Sequence, residues 1–394
     1  MAIAEASDDQ PLSQDSLLAL ANKCFLYRAP GRAPKDKANL QREILDSIFK
    51  DDAAPLYEYS SQMLGWTVDE ERVSSMRKAN EEQLSKLEAS IKDAEENLGD
   101  IEVRDAFLAK ADYLYKIGDR PAAKTAYTKT EEKTAGVGQK MDLAFSTLRL
   151  DMAYEDWHAV KLGLKAADEL CASGGDWERK NRLKVYEATY HMATRDLAGA
   201  ARLFLDSIAT FTSSELFSYE TCIFYTVLTS VPTLDRVSLK SKVVDAPEIL
   251  TVIESIPHLS TYLNALYKCQ YADFFKAFAA IADQVREDIY LHRHLRYYVR
   301  EVRVVAYSQF LESYKSVTLQ SMATAFGVSV DFIDGELVDF IVAGRLPAKI
   351  DKVAGVIETT RPDAKNAQYQ SAIKHGDLLL NRLQKLSKVI DDTF

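Results

Sequence analysis

The chain has 394 residues, enough for two or three domains, and its 47% apolar content supplies their cores. It has no run of about 18 apolar residues that would span a bilayer, its opening MAIAEASDDQPLSQD lacks the basic and apolar parts of a signal peptide, and a net charge of −10 gives no reason to expect a polyanion partner. Cys24, Cys171, Cys222 and Cys269 lie far apart without a C-x-x-C pair, so they fit neither a disulfide framework nor a zinc site and read as buried thiols of a protein in a reducing compartment.

Residues 1–65 read as an N-terminal extension with the first helices. The Pro and Gly cluster RAPGRAPKDK, Arg28 to Lys37, predicts a mobile connection within it. From Asp69 to Gly99 the chain is highly charged, and Leu84, Leu87, Ile91, Ala94 and Leu98 follow the three and four spacing of one long amphipathic helix. Glu82 with Lys86 and Glu88 with Lys92 add i,i+4 pairs in the favourable order. A self-associating coiled coil needs three to four heptads, and Gly99 cuts this one short.

Three degenerate helical hairpins come next, completing a segment of residues 66–255. Ala111, Gly118, Ala123 and Tyr127 hold the spacing at which tetratricopeptide repeats place small residues and one aromatic. Trp157, Val160 and Leu164 repeat it more weakly, and Ala188, Leu197, Ala200 and Phe204 repeat it again. The separations from Gly118 to Glu155 and from Glu155 to Arg195 exceed the roughly 34 residues of a regular array, so the segment is tetratricopeptide-like. Such a solenoid presents an extended face to partners, or simply acts as a spacer for the C-terminal domain.

Residues 300 to 361 carry the pattern of a winged helix. The first helix runs from Arg300 to about Tyr314, with Val302, Val305, Ala306, Gln309 and Phe310 on its buried face. Thr318 caps a short second helix carrying Met322, Ala325 and Phe326, which Gly327 closes. Ser329 caps the third, with Val328 and Ile333 as its hydrophobic staple, and the helix stops at Gly344. Leu346, Ala348 and Ile350 then alternate as a strand, and Val356 to Glu358 returns as a second. The third helix would enter the major groove of DNA in many such units. Here it carries Asp331, Asp334, Glu336 and Asp339 and no cation, which opposes phosphate binding. The run Arg293, Arg296, Tyr297, Tyr298, Arg300 and Arg303 reads as packed tyrosines beside solvated arginines. Beyond Arg361-Pro362-Asp363, with proline suited to a helix start, Tyr369, Ala372, Ile373, Leu379, Leu380, Leu383, Leu386 and Ile390 form an apolar stripe. It either folds back on its own wing or meets another chain.

The sequence offers little chemistry. It has no G-x-x-x-x-G-K-[ST], G-x-S-x-G or H-E-x-x-H, and Gly136-Val137-Gly138 lacks the third glycine of a dinucleotide site. His158, His191, His258 and His375 are isolated, and His292 with His294 supplies only two of the three ligands a catalytic zinc needs.

Several long blocks resemble one family. VDFIDGELVDFIVAGRLPAKIDKVAGVIETTRPD, LLLNRLQKLSKVI, GGDWERKNRLKVYEA, YKCQYADFF and RYYVREVRVVAYSQFLESY are similar to the PCI subunits of the 26S proteasome lid, in particular the family of the seventh regulatory-particle non-ATPase subunit, over about residues 55 to 392. Pro347 and Ala348 depart from the pair expected in the first wing strand, and the stretch up to Lys37 does not match.

The resemblance implies a mainly α fold, a tetratricopeptide-like helical solenoid followed by a winged-helix PCI domain (256–361) with a small β-hairpin wing, and a C-terminal assembly helix (362–394). It implies a non-catalytic scaffold of the 19S regulatory particle lid that supports ubiquitin-dependent degradation without a cofactor or metal. Winged helices pair side by side in that family, which assigns Leu346, Ala348, Ile350 and Val356 to a pairing surface. C-terminal helices gather into a bundle, which assigns Leu379, Leu380, Leu383, Leu386 and Ile390 to partner binding. The implied partners are other PCI subunits, the lid deubiquitinase subunit and the proteasomal ATPase ring, in cytoplasm and nucleus, with no membrane and no nucleic acid. The deubiquitinase family shares H-x-H spacing with His292 and His294, but its serine and aspartate positions hold Val302 and Val305 here. The alternative is a PCI subunit of the COP9 signalosome, for which a tail longer than that beyond Ile390 is expected. A nucleic-acid-binding PCI adaptor is a further alternative that the acidic third helix opposes.

Overall fold

The computed structural model describes residues 14–29, 33–360 and 364–393. Asp15 opens α1 (Ser16–Arg28) by accepting the N–H groups of Leu17 and Leu18. Proline in the first turn starts both α2 (Pro34–Lys50) and α3 (Ala54–Leu64), where its missing N–H costs no helical bond. The connection expected from Arg28 to Lys37 is thereby shorter at both ends. Arg28 ends one helix and Pro34 begins the next, while residues 30–32 lie outside the described set.

The long helix α4 (Glu70–Asn97) is capped by Asp69 and buries Val73, Met76, Ile91 and Ala94. Leu84 and Leu87 are half-buried and Leu98 is exposed, so the stripe is narrower than its spacing implies. Glu88 reaches Lys110 of the following helix at 2.7 Å.

Three hairpins come next: α5 (Asp100–Ile117) with α6 (Arg120–Glu132), α7 (Val137–Ala153) with α8 (Trp157–Gly174), and α9 (Trp177–Ala193) with α10 (Leu197–Ser207). Their turns share one device. Gly118, Glu155 and Arg195 take left-handed conformations at φ 77°, 54° and 72°. The aspartate that follows each, Asp119, Asp156 or Asp196, caps the second helix by accepting the N–H of Ala122, Ala159 or Gly199. Fully buried Ala111, Ala123, Ala188 and Ala200 let the paired helices approach closely. Arg120 pairs with Asp151 at 2.9 Å and with Asp156, joining the first hairpin to the second. Arg179 pairs with Asp142 at 2.6 Å, joining the second to the third.

The chain continues through α11 (Tyr219–Ser230), the short α12 (Arg236–Leu239) and α13 (Pro247–Leu250), then α14 (Leu259–Tyr267), α15 (Tyr271–Arg286) and α16 (Leu295–Glu312). It divides into two compact units, one drawn from 1–267 and 276–299, the other from 268–275 and 300–394.

The second unit contains the end of α16, then β1 (Ser316–Thr318), α17 (Leu319–Phe326), α18 (Val330–Val342), β2 (Ala348–Asp351) and β3 (Val356–Thr359). Thr318 caps α17, Gly327 closes it at φ 67°, and Ser329 caps α18, as the sequence predicts. The predicted hairpin gains a strand: β1 joins it in an antiparallel sheet of order β1-β3-β2. Central Ile357 faces Val317 on one side and Ile350 on the other and is fully buried. Phe326, 1% exposed, is the hub of this unit's core. The rings of Tyr271, Tyr307, Phe275 and Phe310 stand 4.7, 5.0, 5.1 and 5.4 Å from it. The last helix, α19 (Ala364–Thr393), ends the described chain. The proline expected to start it lies outside the described residues, in 361–363.

Candidate interaction surfaces

Every side chain from 368 to 390 on α19 is exposed. Leu379, Leu380, Leu383, Leu386 and Ile390 are 61, 58, 58, 56 and 49% exposed, and Tyr369 and Ile373 extend the same stripe. The helix does not fold back on its wing. Large apolar side chains at helical spacing, left uncovered over six turns, form a patch that water disfavours and a partner helix would cover.

The wing is different. Of the four positions expected on a pairing surface, Leu346 and Ala348 are 3 and 6% exposed and belong to the unit's own core, whereas Ile350 and Val356 are half-buried. The side chains of Leu346 and Ala348 are therefore not available to a neighbour. The edge that β2 offers is main chain, because β2 pairs with β3 on one side only. Pro347 stands just before this strand, where its missing N–H breaks no ladder bond, and its carbonyl accepts the N–H of Thr360 at 2.9 Å.

Three exposed apolar residues escape the strand and helix patterns: Phe332 and Val342 on α18, 41 and 83% exposed, and Val353 at the wing tip, fully exposed. Val353 sits in a turn that Asp351 fastens by accepting the N–H groups of Val353 and Ala354. An apolar residue at the tip of a polar turn was the available sequence signal for it.

Of the four carboxylates on α18, Glu336 pairs with Arg303 at 2.5 Å and Asp334 with Lys352 at 3.0 Å, while Asp331 and Asp339 face solvent. The arginines nearby are also engaged in part: Arg293 pairs with Glu155, and Arg303 is held by Glu336. Tyr298 is buried and exchanges a 2.9 Å hydrogen bond with Tyr262. The helix that would read a groove is thus acidic at its surface, and the basic run buries Tyr298 while Arg293, Arg296 and Arg300 stay exposed.

His292 and His294 have structural partners. His294 donates from Nε2 to the Ala193 carbonyl at 2.8 Å, and His292 from Nδ1 to that of Ile289 at 3.0 Å. Among the described residues no group of three His, Cys, Asp or Glu is placed to hold a metal ion, and no helix is long and apolar enough to cross a membrane. Three cysteines are buried as expected, but Cys269 is exposed. Burial pushes the Cys24 thiol to about 11 and that of Cys222 to about 12.

The family described as 26S proteasome subunit RPN7 matches residues 69–242, the PCI domain matches 272–361, and the 26S proteasome regulatory subunit RPN7/PSMD6 C-terminal helix matches 368–390. The chain is 60% identical over 379 residues to the 26S proteasome non-ATPase regulatory subunit 6 homolog of Arabidopsis thaliana, covering 96% of this chain and 98% of that one. It is 45% identical to the 26S proteasome non-ATPase regulatory subunit 6 of Dictyostelium discoideum, covering 97% and 100%. It is 36% identical to the 26S proteasome regulatory subunit RPN7 of Saccharomyces cerevisiae, covering 94% and 92%.

Proposed function

The chain belongs to the RPN7/PSMD6 family of 26S proteasome regulatory subunits, and from that membership we propose that it is a non-catalytic scaffold of the 19S regulatory particle lid, serving ubiquitin-dependent degradation through protein contacts in cytoplasm and nucleus. The carrying observation is α19, whose apolar stripe is uncovered along the segment that matches the family's C-terminal helix. In this reading α19 enters a helical bundle with other PCI subunits and the lid deubiquitinase subunit. The open edge of β2 meets a neighbouring wing, and the helical repeats face the ATPase ring. The acidic face of α18 supports a protein-docking role for the winged helix over a nucleic-acid one.

The test replaces Leu379, Leu383 and Leu386 together with Asp. Three carboxylates cost an exposed helix only about a few tenths of a kcal/mol each but several kcal/mol each, as an order of magnitude, inside an apolar bundle. The variant is expected to keep its circular dichroism and lose incorporation into the lid. Co-purification of the variant with a complete lid would sink the assignment of α19. An N-terminally tagged wild-type chain purified with ATP present is expected to bring down proteasomal ATPases and lid subunits. Recovery of signalosome subunits without ATPases would move the chain to the paralogous complex.

A further inference from the structure

Glycine weakens the interior of a helix relative to alanine, so a mid-helix glycine calls for a reason. Gly163 in α8 has one: a methyl group added there would stand 2.8 Å from Leu148 Cδ2 of α7. Gly335, in the middle of α18, has no such neighbour. Its backbone is helical, without a positive φ, and an added methyl group would meet no atom within 4 Å. Gly376, on the apolar stripe of α19, is open in the same way.

The surroundings of Gly335 supply a reason. Asp331, Gly335, Val338 and Val342 follow one another at helical spacing along one face of α18, opposite buried Ile333, Leu337 and Phe340. Val342 is 83% exposed at the end of this row. Phe332 lies on one flank, where the Arg303 guanidinium stands 5.7 Å from its ring. Asp334 lies on the other, and its 3.0 Å pair with Lys352 draws the wing tip and fully exposed Val353 alongside. Gly335 is thus a floor without a side chain between apolar shoulders. The main-chain groups of α18 are taken up within the helix, so it has no edge to pair with a strand, and contact must come from packing of side chains. A second helix laid across Gly335 could approach more closely than the about 8–10 Å usual for helix pairs. Exposed Asp331 and Asp339 border the floor and set the charge that the partner must bring.

We propose that the outward face of α18 docks a helix of another subunit, which crosses it closely at Gly335 and carries Lys or Arg opposite Asp331 and Asp339. This role rests on the lid reading above and gives the winged helix a contact separate from α19 and from the edge of β2.

The test puts a photoreactive phenylalanine analogue in place of Val342 in the tagged full chain and irradiates the assembled complex. Because α19 keeps the chain in the lid, the crosslink is read per lid recovered, and mass spectrometry identifies the joined peptide. One lid chain is expected to be captured, through a helical peptide that carries Lys or Arg. Gly335→Leu is expected to cut the crosslink by about tenfold or more by filling the floor, while the thermal midpoint of the isolated chain is unchanged. Gly335→Ala, which the helix tolerates in any case, is expected to cut it about threefold and leave the midpoint equal or higher, opposite directions that a purely structural glycine would not produce. Asp331→Lys with Asp339→Lys is expected to weaken the crosslink through like charge. A complete lid without a crosslink, an undiminished yield from the glycine variants or the lysine variant, or a captured peptide without Lys or Arg would overturn the proposal. Recovery of no lid subunits with the unsubstituted chain would instead overturn the reading on which it rests.

Discussion

Phe326 shows how far a single residue decides the second unit. Four rings surround it within 5.4 Å, so Phe326→Ala leaves a cavity that none can fill without abandoning another contact. The substitution is expected to cost about 3–5 kcal/mol in urea unfolding of the winged helix. Asp156 acts at a smaller scale. Its hydrogen bond from Arg120, with the N–H of Ala159 adding to it, holds the carboxyl below the usual range. A depressed folded value means that its contribution is present above the unfolded value near about 4 and is lost as pH falls through the lower folded one. Asp156→Asn keeps the cap but not the charge. The variant should be less stable at pH 7 by less than about 1 kcal/mol, since the pair is partly exposed, and the gap should close as pH falls through the lowered folded value in acid titrations of stability. The thiols follow their surroundings: burial holds Cys24 and Cys222 as neutral thiols. Brief native alkylation near neutral pH should modify Cys269 alone, with the other three reacting only after unfolding, as peptide mass spectrometry would register.

Elements with strong local signals were legible in the sequence, and those without were not. Thr318, Gly327 and Ser329 fix α17 and α18 because caps and left-handed closures are chemistry within four residues. The turns of the repeats were legible in part. Gly118 announces itself, whereas Glu155 and Arg195 adopt the same left-handed conformation without glycine and are recognisable only by their distance from one another and the aspartate that follows. The strand β1 was missed because three residues are too few for alternation to register, and its partner β3 lies far along the chain. Leu346 and Ala348 were assigned to a pairing surface by the family resemblance, and alternation could not correct this, because it tells which residues share a face but not which face the sheet turns inward. On α4, spacing alone could not show that Leu98 ends in solvent. Helices were expected in the N-terminal stretch, but not their limits. Proline marks a break, and here Pro34 begins α2, whereas the start of α1 is held through Asp15 by the distant Arg149 and Glu215.

At the scale of the molecule, the part that looks most like an assembly device is the part that the isolated chain needs least. All described side chains from 368 to 390 are exposed, so α19 removes almost no apolar surface from water within the chain. At about 25 cal/mol per Å² of buried apolar area, a helix that buries nothing contributes nothing to the stability of the rest of the chain. A chain ending at Thr360 is therefore expected to unfold within about 1 °C of the full-length midpoint, under the shift of about 2–4 °C that 1 kcal/mol produces in a domain of 150–250 residues. The same truncation is expected to abolish recovery of the chain with other lid subunits, because the whole apolar stripe is lost. Paired calorimetry and co-purification separate the two effects. A large fall in the midpoint would mean that α19 is covered within its own chain, in which case its stripe could not serve a neighbour. An unchanged midpoint with normal incorporation would transfer the assembly role to the edge of β2 and the exposed Phe332, Val342 and Val353.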